Sequence, residues 1–178
     1  MATAGLGVRW CQTGPMREWL VGGGLILSPP DGGLLLVRNR RRSGELDWTP
    51  PGGVIDVDET LIDGLTREVA EETGVVVSQW RGPVYEVEVL APGLGWRLRV
   101  EAHLAVEHAG RLHVDDPDGI VVDAAYVAPD ACAGHLEGCH RWVSEPLAAW
   151  LADRWQGHRR FRYRVHGDDF RTATVHPV

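Results

Sequence analysis

Apolar positions recur along this chain with two different periods, and the switches between them outline the fold. From Leu20 to Leu27 an apolar run crosses three glycines, Pro29-Pro30-Asp31-Gly32-Gly33 is a cluster of turn formers, and Leu34 to Val37 is apolar again. This pattern predicts a two-stranded hairpin. Residues 1–19 show no clear period and read as an arm or a first edge strand, leaving residues 20–178 as one domain. Arg38 to Gly44 reads as a basic loop, and Trp48-Thr49-Pro50-Pro51-Gly52-Gly53 as a rigid, then flexible, connector into a helix. In that helix Leu61, Ile62, Leu65 and Val69 recur at helical spacing, with Ile62, Leu65 and Val69 turned toward the core. Thr60 with Asp63 resembles a capping box, and Gly74 supplies a left-handed stop, so residues 60–73 are predicted helical. Downstream, Val75–Val77, Val84–Leu90, Trp96–Val106 and Ile120–Val127 read as strands. Ser144 reads as the cap of a helix ending near Trp155, and Phe161, Tyr163 and Val165 alternate with Arg162 and Arg164 in a last strand. Strands interleaved with helices predict the α/β class, a mixed sheet with helices packed on it and a C-terminal helix and strand as an extension.

The 178 residues suit one domain, and a chain of this size buries about 70% of its unfolded surface without needing a disulfide or structural metal. With 18 basic and 25 acidic residues the net charge is −7, which argues against the nucleic-acid backbone or an anionic membrane as the main partner. Every basic residue is Arg. The absence of Lys excludes a Walker phosphate loop and Schiff-base chemistry, both of which need a lysine amine. Cys11, Cys132 and Cys139 are odd in number and widely spread, so a reduced, cytoplasmic protein is expected rather than a disulfide framework. Neither a signal peptide nor a membrane span is visible.

Glu68, Glu71 and Glu72 lie at i, i+3 and i+4, which places three carboxylates on one face of the predicted helix. Like charges so close repel one another unless a cation neutralises them, and oxygen ligands that leave several waters suit Mg²⁺ or Mn²⁺. The spacing around them is highly specific. Gly53, Glu59, Arg67-Glu68-Val69, Glu71-Glu72 and Gly74-Val75 fix nine positions over 23 residues. At each of them the segment is similar to the signature of the Nudix (MutT-like) hydrolases. The resemblance covers residues 20–127 and implies an α/β/α sandwich with a carboxylate-bearing helix. It also implies metal-dependent hydrolysis of a nucleoside diphosphate linked to a further group. On that resemblance Glu68, Glu71 and Glu72 are metal ligands, the Gly52 carbonyl adds a main-chain oxygen, and Glu59 and Arg67 pair to orient the helix and Glu68.

The base that takes a proton from the attacking water stays open. Many Nudix enzymes carry a loop glutamate before an Arg-Trp pair, and residues 118–126 offer neither, which leaves Asp118, Asp123 and Glu68 as candidates. Asp115 and Asp116 read as turn residues. Arg38, Arg40, Arg41 and Arg42 are placed to reach a substrate phosphate, and Trp48 to stack on a base or to pack beneath the turn. Ala91-Pro92-Gly93 is similar to a proline motif of ADP-ribose-hydrolysing relatives, and equally suits a turn between strands. Cys132, His135, Cys139 and His140 lack the close Cys pair of a structural zinc site and read as loop and packing positions. The expected activity is a pyrophosphohydrolase for ADP-ribose, another sugar-linked nucleotide or a nucleoside triphosphate such as an oxidised dNTP. The alternative is a nucleotide-binding sensor of the same fold without turnover. The expected partner is a small nucleotide and not nucleic acid or membrane, in a chain that can form a homodimer.

Overall fold

A computed structural model describes residues 16–29, 31–169 and 171–178. The readings made for residues 1–15, Cys11 among them, lie outside the described residues. The chain forms β1 (Arg17–Leu25), β2 (Leu34–Arg40), β3 (Leu46–Thr49), α1 (Leu61–Thr73), β4 (Val76–Ala91), β5 (Trp96–Ala109), β6 (Val121–Val127), α2 (Cys132–His135), α3 (Arg141–Asp153), β7 (Arg159–His166) and β8 (Thr174–Pro177). Two sheets result, a mixed one ordered β1-β5-β4-β7-β8 and an antiparallel one ordered β3-β2-β6. Parallel pairing of β1 with β5 and of β4 with β7 makes the larger sheet mixed.

The period of two along β2 divides the interior. Leu34 and Leu36 face a core filled by Val87 and Val89 of β4, Leu147 and Trp150 of α3 and Tyr163 of β7. Leu35 faces the other way, into a smaller core with Ile26, Leu65, Val69, Val75 and Val77. Helix α1 covers this second core and packs on β1 and β4, while α3 packs on β4 and β7, so helices lie on both sides of the sheets. The architecture is α/β, as the pattern predicts.

Helix α1 starts and stops where the sequence places it. Thr60 is extended and accepts from the Asp63 N–H at 3.2 Å, while its hydroxyl donates to Asp63 Oδ2 at 2.6 Å. Asp63 therefore holds the Thr60 hydroxyl and not the backbone N–H of a true capping box. At the far end the Gly74 N–H donates to Ala70 O at 2.9 Å from a left-handed conformation. Thr60→Ala removes the N-terminal acceptor and is expected to cost about 1 kcal/mol, lowering the melting temperature by about 2–4 °C for a domain of this size. Thermal denaturation followed by circular dichroism checks this.

Other expectations need correction. β1 and β2 do not form a hairpin ladder: they belong to different sheets, and among the described residues between them only Leu27 and Leu34 form a bridge. The strand after that turn runs on through Arg38 and Arg40, and Trp48 lies in β3, so neither is loop or connector. The two apolar runs 75–77 and 84–90 are one strand whose register shifts at Val77, Gln79 and Arg81. Helix α3 begins after His140, not at Ser144, whose hydroxyl turns back to the His140 carbonyl. Residues 132–135 are a short helix and not loop. Ile62, expected to face the core, is 38% exposed, because α1 buries the narrower stripe of Leu65 and Val69.

Candidate active site

The loop before α1 is sewn to the edge of β1. Gly22 N–H donates to Gly53 O, Gly24 N–H to Pro51 O and Ile55 N–H to Leu20 O, at 2.8–3.0 Å. The glycine run in β1 lets α1 come close: a Cβ on Gly22 would stand 3.1 Å from Leu65 Cβ. Gly53 serves the same purpose toward the site, since a Cβ there would stand 2.6 Å from Glu68 Cδ. The backbone thus passes directly over the carboxylate face of the helix.

Arg67 organises that face. Its guanidinium grips Glu59 with two bonds, Nη2 to Oε1 at 2.7 Å and Nε to Oε2 at 3.2 Å. Nη1 reaches Glu68 Oε1 at 2.9 Å and Glu71 Oε2 at 3.1 Å. Arg67, with the Asp56 N–H, holds the Glu59 carboxyl below the usual carboxylate range, so the pair stays ionised. Glu72 turns elsewhere and accepts the Gly52 N–H at 2.8 Å. Burial pushes its carboxyl up to about 8, against the pull of the Gly52 N–H and with help from the Glu68, Asp116 and Glu71 charges. Burial also raises Glu68, opposed by Arg67 and assisted by Glu71 and Asp118.

Glu68, Glu72 and Gly52 open onto a cavity of about 710 Å³ between the sheets. Val87, Leu98, Val100 and Trp142 make part of its wall apolar, and Asn39, Arg41, Thr49 and His140 make another part polar. Asn39 is held by its Nδ2, which donates to Thr49 Oγ1 at 2.9 Å and more weakly to Asp47 Oδ1 at 3.5 Å. Arg41 is anchored on Asp47 through Nε at 2.7 Å. The His140 ring stacks on Trp142 at 4.0 Å, and burial first, then the Arg41 charge, favours its neutral form.

Not every residue singled out in the sequence reaches this cavity. Arg67, Glu68, Glu72, Gly52 and Asp118 line it, and Glu59 and Glu71 join it through Arg67. Arg38 and Trp48 line a separate cleft, the guanidinium 5.9 Å from the indole centre, with His135 edge-on to the same ring. Arg40 and Arg42 are exposed and line neither. Asp123 is exposed and lies opposite Arg38 in the β2–β6 register. Of the four arginines expected to reach a phosphate only Arg41 lines this cavity, and Asn39, Thr49 and His140 are residues that sequence reasoning did not single out for it. The strand period held the signal for Asn39, because once β2 extends to Arg40, Asn39 and the next residue but one, Arg41, share a face that Arg38 and Arg40 do not.

The remaining clusters have separate partners. Cys132 Sγ faces Val127 O at 3.7 Å, Cys139 Sγ donates to Trp48 O at 3.0 Å, and the two histidines lie on different tryptophans. Pro92–Leu94 forms a 3-10 turn between β4 and β5. Arg160 and Arg162 of β7 pair with Glu86 and Glu88 on the outer face of the sheet.

A family model described as NUDIX domain matches residues 20–162. The chain belongs to the NUDIX family. Over shorter stretches it is similar to the RNA pyrophosphohydrolase of Caulobacter vibrioides, 37% identical over 73 residues, which are 41% of this chain and 37% of that protein. It is also similar to a MutT-like protein of Streptomyces ambofaciens, 49% identical over 47 residues, 26% of this chain and 29% of that one. The chain thus spans less than half the length of the curated relatives it matches. Among solved structures, the E. coli ORF135 protein aligns with a TM-score of 0.64 at 21% identity, covering 78% of this chain and 92% of that one. The MutT protein from Methanosarcina mazei Go1 aligns with a TM-score of 0.62 at 18% identity, covering 78% and 96%. These likenesses carry the fold.

Nudix hydrolases generally use divalent metal, and the donor chemistry here suits a hard cation. Glu68 and Glu72 present carboxylate oxygens to the cavity, and burial raises the Glu72 carboxyl to about 8, as expected of a buried acid with no cation beside it. The three-carboxylate set is not drawn together in this conformation. Among the described residues no three acidic, histidine or cysteine side chains are gathered closely enough to hold an ion. Glu71 is turned onto Arg67, and the Gly52 N–H occupies one oxygen of Glu72. Among the described residues, too, no helix is long and apolar enough to cross a membrane.

Proposed function

We propose that this Nudix protein is a metal-dependent pyrophosphohydrolase acting on a nucleoside diphosphate derivative. The observation that carries the reading is the continuity of one cavity from Glu68, Glu72 and the Gly52 backbone to the apolar wall of Val87, Leu98 and Val100. The carboxylate end suits a diphosphate bridged to it by a divalent cation, and the apolar remainder suits the less polar body of a nucleotide. Glu68, Glu71, Glu72 and the Gly52 carbonyl would hold Mg²⁺ or Mn²⁺, which when bound offsets the diphosphate charge and acidifies water. Arg67, fixed by Glu59, orients Glu68 and Glu71. Asn39 of β2 and Arg41, just past its end, contact the substrate. Asp118 lines the cavity, and no hydrogen bond to its carboxylate is made among the described residues. It takes the proton from a water whose oxygen bonds to one phosphorus as that phosphorus loses its bond to the bridging oxygen, and the other phosphate leaves with the group attached to it. Glu68 remains the alternative base.

The substrate candidates are ADP-ribose or another sugar-linked nucleotide and a nucleoside triphosphate such as an oxidised dNTP. The relatives named RNA pyrophosphohydrolase favour a second reading, in which the phosphorylated 5′ end of an RNA enters the same cavity. A panel of these compounds with Mg²⁺ or Mn²⁺, followed by release of phosphate or pyrophosphate, tests both. Turnover of at least one small nucleotide is expected. Turnover of 5′-triphosphate RNA alone would establish the second reading, and tight binding of a nucleotide without turnover would establish a sensor.

A further inference from the structure

The turn between β5 and β6 contains two aspartates two residues apart, and the structure gives them opposite circumstances. Asp116 accepts three backbone N–H groups: Oδ2 from Ile120 at 2.7 Å and from Val121 at 2.8 Å, Oδ1 from Asp118 at 3.2 Å. Its own carbonyl accepts the Gly119 N–H at 3.0 Å, with Gly119 in the left-handed region. The Ile120 carbonyl in turn accepts the Arg40 N–H at 2.8 Å, which ties the turn to β2. Asp118 stands at the tip of this closed ring, and no hydrogen bond to its carboxylate is made among the described residues. Both aspartates line the cavity, and their charges reach the helix, Asp118 adding to the rise of Glu68 and Asp116 to that of Glu72.

We infer that Asp116 is a positioning residue for the reaction, its carboxylate closing the turn so that the Asp118 side chain is held at the Glu68 end of the cavity. A carboxylate accepting three N–H groups is committed to the backbone and is neither the base nor a mobile ligand. What it supplies is orientation. The turn is exposed and irregular, and without Asp116 three backbone N–H groups lose their acceptor to water, leaving Asp118 free to swing away. Orientation of a reacting group is worth much, since misplacement by about 1 Å costs on the order of a hundredfold in rate. The inference rests on the proposed hydrolase reading and on Asp118 as base.

The test compares Asp116→Ala, Asp116→Asn, Asp118→Asn and the Asp116→Ala/Asp118→Asn double variant, with Mg²⁺ and a nucleotide that the wild type turns over. Asp116→Ala is expected to lower kcat by about ten- to a hundredfold with KM changed only a few-fold. Asp116→Asn keeps one oxygen for the Ile120 and Val121 N–H groups and is expected to restore most of the rate. In the Asp118→Asn background, Asp116→Ala is expected to cost nothing further, because residues acting through one group are not additive. A turn residue with a merely structural role would lower both backgrounds alike. Additive losses, or wild-type kcat in Asp116→Ala, would overturn the inference while leaving the hydrolase reading intact. If the wild type turns over no compound, the hydrolase reading fails and this inference, which rests on it, falls with it. With an active wild type, faster amide exchange at Asp118, Ile120 and Val121 in Asp116→Ala, with α1 unchanged, supports the inference, and unchanged exchange overturns it.

Discussion

Exchange of Glu72 for Gln is expected to cut turnover by more than about tenfold, because it removes a metal-binding charge at nearly constant volume. It is also expected to change how the metal-free protein responds to pH. Burial raises the Glu72 carboxyl from 4.5 to about 8, so the folded state holds that proton more tightly than the unfolded state does. The stability this provides is complete below 4.5 and is lost as pH rises through about 8. His103 and His140, which burial shifts toward the neutral form, contribute the opposite slope, so the wild type minus variant difference is the quantity to measure. Melting temperatures of the two proteins without metal are expected to diverge between about pH 5 and pH 8, with the wild type falling relative to Glu72→Gln. Added Mg²⁺ displaces the proton and is expected to stabilise the wild type more at pH 8 than at pH 6, and the variant little at either. Parallel melting curves, or wild-type rates for the variant at limiting Mg²⁺, would show that Glu72 neither carries a perturbed charge nor holds the ion.

What made the helix side of this site legible is that its determinants are local. Thr60, Leu65, Val69 and Gly74 lie within one element, and period, cap and stop all agree. The carboxylates at 68, 71 and 72 inherit their common face from that period alone. The other side of the cavity depends on pairings made across the chain. β1 reads as half of a hairpin because Leu20–Leu27 and Leu34–Val37 flank a turn cluster, yet its partner is β5, some eighty residues on. Once the turn switches sheets, β2 becomes the centre of a second sheet between β3 and β6. The alternation of β2, continued one residue past its end, then turns Asn39 and Arg41, not Arg38 and Arg40, toward the cavity. A basic run of Arg residues carries no hint of this, because the residue between two arginines is as well placed as either once a strand passes through. His140 and Trp142 were equally hidden. Their approach to the cavity depends on α3 starting after His140, whose side chain makes no capping bond and stacks on Trp142 instead.

The identity of the base turns on a placement the sequence left open. Asp118 and Asp123 were equal candidates by position, whereas in the structure Asp118 lines the cavity and Asp123 lies outside it, exposed, with its Oδ1 accepting the Ala124 N–H at 2.9 Å. Asp118→Asn is therefore expected to lower kcat by about 10²–10⁴-fold, the usual worth of general-base catalysis, with little change in metal affinity. Asp123→Asn is expected to stay within a few-fold of wild type. If Glu68 is the base, the pattern reverses in a recognisable way: both aspartate variants keep their rate, and Glu68→Gln loses rate and metal binding together. Glu68 Oε1 already accepts from Arg67 at 2.9 Å, whereas no hydrogen bond to the Asp118 carboxylate is made among the described residues, so Asp118 has its oxygens free to face a water. Single-turnover rates measured at saturating substrate and metal separate the two, since they remove differences in binding and leave only the proton-transfer step. A wild-type single-turnover rate in Asp118→Asn would assign the proton to Glu68 and leave the Asp118 turn without a part in the chemistry.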